Sequence, residues 1–237
     1  MTSFNGDRVL VVGGSSGIGL GTAKVAKDAG AHVTIVGRSA ERLAEAAKQI
    51  GGGVEQAVLD ATDDVAVEKF FADSGTWDHV VLTVGKGGRG LIQDLDMQTA
   101  LTAMDAKFWA YFRVARAAKI REGGSLTFVT GSLGQKAAPS ASMLCATNAA
   151  VEGLMRGLAL DFAPTRVNAV SPGPIDTPLW DQFDDERRKA HRAHVEATLP
   201  ARRFGQPEDV GEAIVMLMGN KFTTGVVLQV DGGSMLV

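Results

Sequence analysis

The stretch RVLVVGGSSGIGLG, residues 8–21, decides the fold of this chain. Its first five residues form an apolar run of the kind found in strands buried on both faces, and a glycine-rich turn follows that opens a helical pattern. Glycines permit a tight turn and let backbone N–H groups approach a pyrophosphate, while the helix N-terminus adds about half a positive charge. The alternative is a turn that only packs the helix on the strand. We predict a dinucleotide-binding turn made of Gly14, Ser15, Ser16, Gly17, Ile18 and Gly19.

Outward from this turn, β-rich runs alternate with helical patterns over all 237 residues. Strands are predicted at residues 8–12, 32–36, 54–59, 79–84, 125–130, 166–170 and 226–230. Helices are predicted at residues 17–29, 40–50, 64–72, 97–119, 142–162 and 208–218. This order predicts an α/β fold of the Rossmann-like, doubly wound type, with a mainly seven-stranded parallel sheet covered by helices on both faces. Because no linker or repeat interrupts the pattern, residues 1–237 are predicted to be a single domain.

Composition narrows the classes of partner. The net charge of −3 offers no basic excess for a nucleic acid or an anionic membrane, so we expect neither. Cys145 is the only cysteine, and no secretory leader precedes the first strand, so a reduced, cytoplasmic location is expected.

The glycine spacing is G-x-x-x-G-x-G, which resembles that of the short-chain dehydrogenase/reductase family. Further segments follow in the order of that family: RVNAVSPGPIDTP at 166–178, RFGQPEDV at 203–210 and VDGGS at 230–234. The resemblance covers nearly the whole chain and implies a fold that binds a nicotinamide cofactor and catalyses oxidation or reduction.

Residues after the second predicted strand indicate which cofactor is bound. NAD-selective sites place a carboxylate there to bind the ribose 2′-OH, whereas an arginine accommodates the 2′-phosphate of NADP. This chain has Gly37 and Arg38. A guanidinium can engage a phosphate with paired, charge-assisted hydrogen bonds, so NADP(H) is predicted. The alternative is that Arg38 is only an exposed cation at a helix start.

The resemblance implies further cofactor contacts. Asp60 corresponds to the adenine contact of the family, Ile175 to the backbone partner of the nicotinamide amide, and Thr177 to a cofactor-phosphate ligand. Gly85 ends LTVG, residues 82–85, where the family usually has Asn-Asn-Ala-Gly. That difference predicts a loss of amide hydrogen bonds between neighbouring strands.

The proton donor of the family is missing from this sequence. Family members pair a Tyr with a Lys four residues later and a Ser on the preceding strand. Ser132 is present, either as a donor to a substrate oxygen or as a turn or cap hydroxyl, but Leu144 and Asn148 stand at the Tyr and Lys positions. The only tyrosine, Tyr111, has no lysine four residues later. Ordinary carbonyl reduction is therefore in doubt, whereas cofactor binding is not.

Several residues are candidates for a substitute acid. Asp105 is predicted to take the place of an Asn that feeds a proton relay in the family, and it serves either as a buried acid or as a cap or a salt bridge to Lys107. Lys86 and Lys136 are candidates near the nicotinamide, or solvated loop lysines. Cys145 is a candidate donor or a packing residue.

The segment 175–199 interrupts the regular pattern because it is long and highly charged with an apolar start. It is predicted to be either a substrate lid or a solvated surface helix. His191 and His194 lie three residues apart without a third placed ligand, so no metal site is expected.

The leading hypothesis is an atypical NADP(H)-dependent oxidoreductase acting on an unknown small carbonyl, alcohol or related substrate. The alternatives are a catalytically inactive NADP(H)-binding sensor or scaffold, and a non-redox isomerase or lyase. The resemblance also implies a homodimer or homotetramer.

Overall fold

One sheet of seven parallel strands forms the centre of the protein, in the order β3-β2-β1-β4-β5-β6-β7. The structure is a computed structural model, which describes residues 3–85 and 87–237 without the side chain of Gln182. The strands are β1 Arg8–Val12, β2 His32–Gly37, β3 Glu55–Val58, β4 Trp77–Leu82, β5 Ile120–Val129, β6 Arg166–Pro172 and β7 Val227–Val230. The α-helices are α1 Gly17–Asp28, α2 Ala40–Ile50, α3 Asp64–Asp73, α4 Met97–Met104, α5 Ala110–Ala117, α6 Ser142–Asp161, α7 Asp185–Thr198 and α8 Pro207–Gly219. The predicted Rossmann-like fold is confirmed.

Both faces of the central strands are buried, and the side chains of each strand alternate between the two faces. On β1, Leu10 and Val12 pack with residues of α3, α5 and α6, whereas Val9 and Val11 pack with residues of α1, α2 and α8. This arrangement explains why most of the predicted strands are apolar throughout. Among the residues that the structure describes, no helix has the length and apolar character needed to cross a bilayer.

The strand order reverses between β1 and β4, which are neighbours in the sheet. In open parallel sheets, ligands bind at such a reversal, in the crevice at the carboxyl ends of the strands. The glycine turn follows β1, residues 83–85 follow β4, and Ser132 follows β5. The topology therefore brings the predicted site residues to the same edge of the sheet.

The fourth predicted helix differs from expectation at its centre. Residues 97–119 were predicted as one regular helix, but α4 and α5 are joined by a π-helical turn, Asp105–Trp109. A π turn inserts an extra residue, so the side chains beyond it face differently from those of a regular α-helix. This turn carries Asp105 and Lys107.

His79 lies in the core at the amino-terminal edge of the sheet, opposite the crevice. Its Nδ1 lies 2.7 Å from Ser125 Oγ, and its Nε2 lies 3.5 Å from Asp7 Oδ2. Burial lowers the pKa of His79 to about 4, although the charge of Asp7 acts in the opposite direction. The imidazole is therefore neutral at pH 7.

This histidine makes the free energy of unfolding depend on pH. Between pH 6.5 and about 4 the unfolded chain, whose histidine pKa is about 6.5, binds a proton that the folded chain does not. Stability should therefore fall as the pH falls through this range. We expect urea unfolding at pH 7 and pH 5 to show a smaller difference for His79→Asn than for the wild type. An identical difference in both proteins would contradict this role of His79.

Candidate active site

The glycine turn after β1 leaves the first amides of α1 available to a ligand. Helix α1 begins at Gly17, and the side chain of Ser16 makes no capping hydrogen bond to it. The first N–H groups of a helix have no acceptor within the helix. A Cβ on Gly14 would lie 2.7 Å from a side chain of β2, and one on Gly19 would lie 2.2 Å from a backbone oxygen. The glycines are thus a steric requirement of a turn that exposes amides to the crevice.

The segment after β6 brings Thr177 to this turn. A Cβ on Gly17 would lie 3.3 Å from Thr177 Cγ2, so both residues line the same part of the crevice. The carbonyl of Ile175 accepts a hydrogen bond of 2.7 Å from Trp180 Nε1. A carbonyl oxygen has two lone pairs, so this bond leaves Ile175 able to accept another.

One arginine precedes α2 and a second lies in its first turn. Arg38 is exposed directly after β2, and Arg42 Nη2 donates to Ser16 Oγ at 3.2 Å, which ties α2 to the glycine turn. Asp60 lies after β3 and accepts from the N–H and hydroxyl of Thr62 at 3.0 and 2.8 Å. Burial alone would raise the pKa of Asp60, but the bonds from Thr62 and the charge of Arg38 lower it overall. The structure therefore gathers Arg38, Arg42 and Asp60 at one end of the crevice.

The wall formed by the end of β4 keeps its hydrogen bonding. The N–H and hydroxyl of Thr83 both donate to the carbonyl of Val12, at 2.9 and 3.0 Å. Leu82 and Thr83 have no side-chain amide to bond the neighbouring strand, and the threonine hydroxyl links the end of β4 to β1 in its place. Gly85 follows, and a Cβ on it would lie 3.3 Å from the Cδ of Lys107.

Ser132 begins a short 3₁₀ helix, Ser132–Gly134, three residues after the end of β5. Its side chain is half-buried, and within the part of the chain that the structure describes its hydroxyl makes no hydrogen bond. Tyr111 is fully buried, and its hydroxyl lies 2.9 Å from the carbonyl oxygens of both Leu82 and Val129, to one of which it donates its single hydrogen. Burial raises the pKa of Tyr111. Ser132 can donate to a ligand, whereas the tyrosine is held in the core.

Lys107 enters the site from the π turn. Its Nζ donates to Asn148 Oδ1 at 2.7 Å and to the carbonyl of Thr130 at 2.9 Å. Burial lowers the pKa of Lys107 to about 8, although the charge of Glu152 acts to raise it. Asn148 is buried on α6, and Leu144 lies half-buried one turn before it. The structure therefore places an ammonium group beside the asparagine.

Asp105 does not have the environment that was predicted. Its side chain is 42% exposed and pairs with Arg113 Nη1 at 2.7 Å. The expectations of a buried acid and of a salt bridge to Lys107 were both wrong, because the π turn directs Lys107 into the site and leaves the carboxylate beside Arg113.

The other candidate acids have different outcomes. Lys136 is exposed, and its Nζ donates to the carbonyl of Ser234 at 2.8 Å. Cys145 is half-buried on α6 with a free thiol. Lys86 lies outside the described residues.

The segment 175–199 contains a 3₁₀ helix, Pro178–Gln182, and α7. Trp180 packs on Val195 and Phe204 in a small apolar cluster and lies 4.4 Å, ring centre to ring centre, from His191. Burial, together with the charges of His194 and Arg89, lowers the pKa of His191. A cavity of about 360 Å³ lies between these elements. Its lining includes Thr177, Trp180 and His191.

Comparison with known proteins agrees with this arrangement. A family model described as enoyl-(acyl carrier protein) reductase matches residues 12–235. A short-chain dehydrogenase/reductase of Gibberella fujikuroi, fsr5, is 35% identical over 100% of this chain and 97% of its own length. This chain belongs to the short-chain dehydrogenase/reductase family.

A second relative and a solved structure are also similar to nearly the whole of this short-chain dehydrogenase/reductase chain. The family member ATR9 of Stachybotrys chlorohalonatus is 32% identical, with 100% of both chains covered. A small-chain dehydrogenase solved in complex with NADPH is 30% identical, with a TM-score of 0.81 and coverage of 98% of this chain and 99% of that one.

Sequence reasoning missed two residues of the site. Arg42 lies in the first turn of the helix that follows Arg38, so its nearness to the end of the second strand could have been read from the sequence. Lys107 had no comparable signal, because its direction depends on a π turn that helical periodicity does not reveal.

Proposed function

We propose that this protein is an NADP(H)-dependent oxidoreductase acting on a small carbonyl, alcohol or related substrate. The observation that carries the proposal is the exposed amide turn at Gly17, with Thr177 opposite it and Arg38 and Arg42 beside it. No carboxylate directly follows β2, so a 2′-phosphate meets cations there rather than a repelling charge. The relative solved with NADPH supports the same cofactor.

The bound dinucleotide would be held by the residues of this crevice. The first amides of α1 and Thr177 would bind its phosphates, Arg38 would bind the 2′-phosphate, and Asp60 would contact the adenine. When bound, the cofactor supplies or accepts a hydride. Ser132 would donate a hydrogen bond to the substrate oxygen at the end of β5.

A sensor or scaffold without turnover is the second candidate. It is favoured by Leu144, an aliphatic residue at the position where the family has its tyrosine, and by the burial of Tyr111. We also propose a cytoplasmic homodimer or homotetramer. The exposed aromatic side chains of Trp109 and Phe112, on and next to the π turn, are consistent with such an assembly.

Titration calorimetry with NADPH and NADH, followed by NADPH oxidation assays, tests these alternatives. We expect binding that favours NADPH, and turnover with at least one member of a panel of aldehydes, ketones, imines and enones. Turnover should fall in Ser132→Ala, which removes a donor without changing the cofactor contacts. Binding without any turnover would favour the sensor, and no binding of either nucleotide would contradict both candidates.

A further inference from the structure

The partly buried contact between Lys107 and Asn148 joins two helices inside the candidate site. Lys107 comes from the π turn between α4 and α5, whereas Asn148 comes from α6. The 2.7 Å bond from Nζ to Asn148 Oδ1 and the 2.9 Å bond to the carbonyl of Thr130 fix the ammonium group. These two bonds use two of its three hydrogens, and within the described residues the third has no acceptor.

The ammonium lies where substrate chemistry is expected. Thr130 directly follows β5 and precedes Ser132 by two residues, so the ammonium is anchored at the crevice edge of the sheet. Gly85, at the end of the β4 wall, packs on the lysine side chain, since a Cβ there would lie 3.3 Å from Cδ. The segments that follow β4 and β5, together with helix α6, therefore all contact the side chain of Lys107.

The charge balance around Lys107 also suits a donor. Burial lowers the pKa of Lys107, and the negative charge of Glu152, on α6, acts to raise it. The carboxylate of Glu152 also accepts hydrogen bonds from the side chain of Gln135 and forms a salt bridge with Arg156. Asp105, on the same π turn, is paired with Arg113. A lysine that loses its proton near pH 8 exchanges protons readily at physiological pH, which favours general acid catalysis.

We propose that Lys107 is the proton donor of this site and that Asn148 orients its ammonium group. The inference rests on the proposed oxidoreductase function. During reduction, a hydride adds to the electrophilic carbon of a C=O or C=N group, and the π electrons move to the heteroatom. An N–H bond of Lys107 breaks, an O–H or N–H bond forms on that atom, and the neutral amine regains a proton from water.

This assignment gives a reason for two departures from the family pattern. Family members carry an Asn in the long fourth helix and a Lys at the position of Asn148. This chain has a lysine in that helix and an asparagine at 148, so the cation and the amide have exchanged helices. Their direct contact indicates that the exchange retains a positive charge in the site.

Four variants test the assignment, with Lys119→Met as a control because Lys119 is exposed. Lys107→Met should lower turnover of the best panel substrate by about 100-fold or more, the effect of losing a positioned acid. Lys107→Asn should lower turnover to a similar extent. Asn148→Lys should lower the melting temperature, because it places a second ammonium group beside that of Lys107. The double exchange Lys107→Asn with Asn148→Lys should recover stability and part of the turnover.

A second measurement does not depend on turnover. In protein labelled with ¹³C at the lysine ε-carbons, one resonance that is missing from Lys107→Met should titrate near pH 8 and shift when NADP⁺ is added. A resonance that titrates near the ordinary lysine value and is indifferent to NADP⁺ would overturn the assignment. So would undiminished turnover in Lys107→Met. Wild-type protein that does not bind NADPH, or that binds it without turnover, would overturn the proposed function and this assignment with it.

Discussion

Gly17→Asp should weaken NADPH binding by about 100-fold or more while leaving the protein folded. The new carboxylate would lie at the start of α1, where the exposed amides are proposed to hold the phosphates. Like charges brought together in a binding site cost several kcal/mol, and about 2.7 kcal/mol corresponds to that loss. The nearest atom to a Cβ at this position is Thr177 Cγ2 at 3.3 Å, so space is tight but not blocked.

Gly17→Asn is the matched control for this prediction. Gly17 has a φ of +51°, which Asp and Asn tolerate better than most residues, so both variants carry similar backbone strain. Only the aspartate adds a charge. Calorimetry with NADPH should therefore show a much larger loss for Asp than for Asn. Equal losses would mean that the position is merely crowded, and unchanged affinity in both would refute phosphate binding at this turn.

The fold could be predicted from the sequence because its signals are local and repeated. Apolar runs such as 8–12 are buried on both faces, and each is followed by a helical pattern. Boundaries were less predictable where pairing is irregular. Strand β5 begins at Ile120 rather than residue 125, since the register with β4 shifts between Trp77 and His79. Such an irregularity depends on both strands, and neither sequence reveals it alone.

In the candidate site, too, some residues could be predicted from the sequence and others could not. The turn at Gly17 and its neighbour Thr177 follow strands, so the parallel topology alone brings them to one edge. The active-site ammonium was not predictable, because helical periodicity does not reveal the π turn on which Lys107 bonds Asn148 while Asp105 pairs with Arg113. Likewise, the sequence showed that the side-chain amides of the family are absent at Leu82 and Thr83, but not that the hydroxyl of Thr83 reaches the carbonyl of Val12.

Arg38→Ala should reduce NADPH affinity by about 10- to 100-fold and leave NADH affinity nearly unchanged. A hydrogen bond to a charged group contributes about 1.5 to 3 kcal/mol, and NADH lacks the phosphate that would receive it. Arg38 is exposed and has no salt bridge within the described residues, so its removal leaves no buried charge unpaired. Calorimetry with both nucleotides makes NADH the internal control for general damage to the crevice.

The contribution of Arg42 to phosphate binding determines how much of the preference for NADPH over NADH is lost in Arg38→Ala. Its guanidinium already donates to Ser16 Oγ at 3.2 Å, so it can turn toward a phosphate without crossing the crevice. Arg38→Lys should keep part of the NADPH preference, because it retains the charge but not the paired donors. If Arg42 shares the phosphate, Arg38→Ala with Arg42→Ala should bind NADPH and NADH equally well. An equal loss of both nucleotides in Arg38→Ala alone would show instead that this arginine supports the crevice rather than reading the 2′-phosphate.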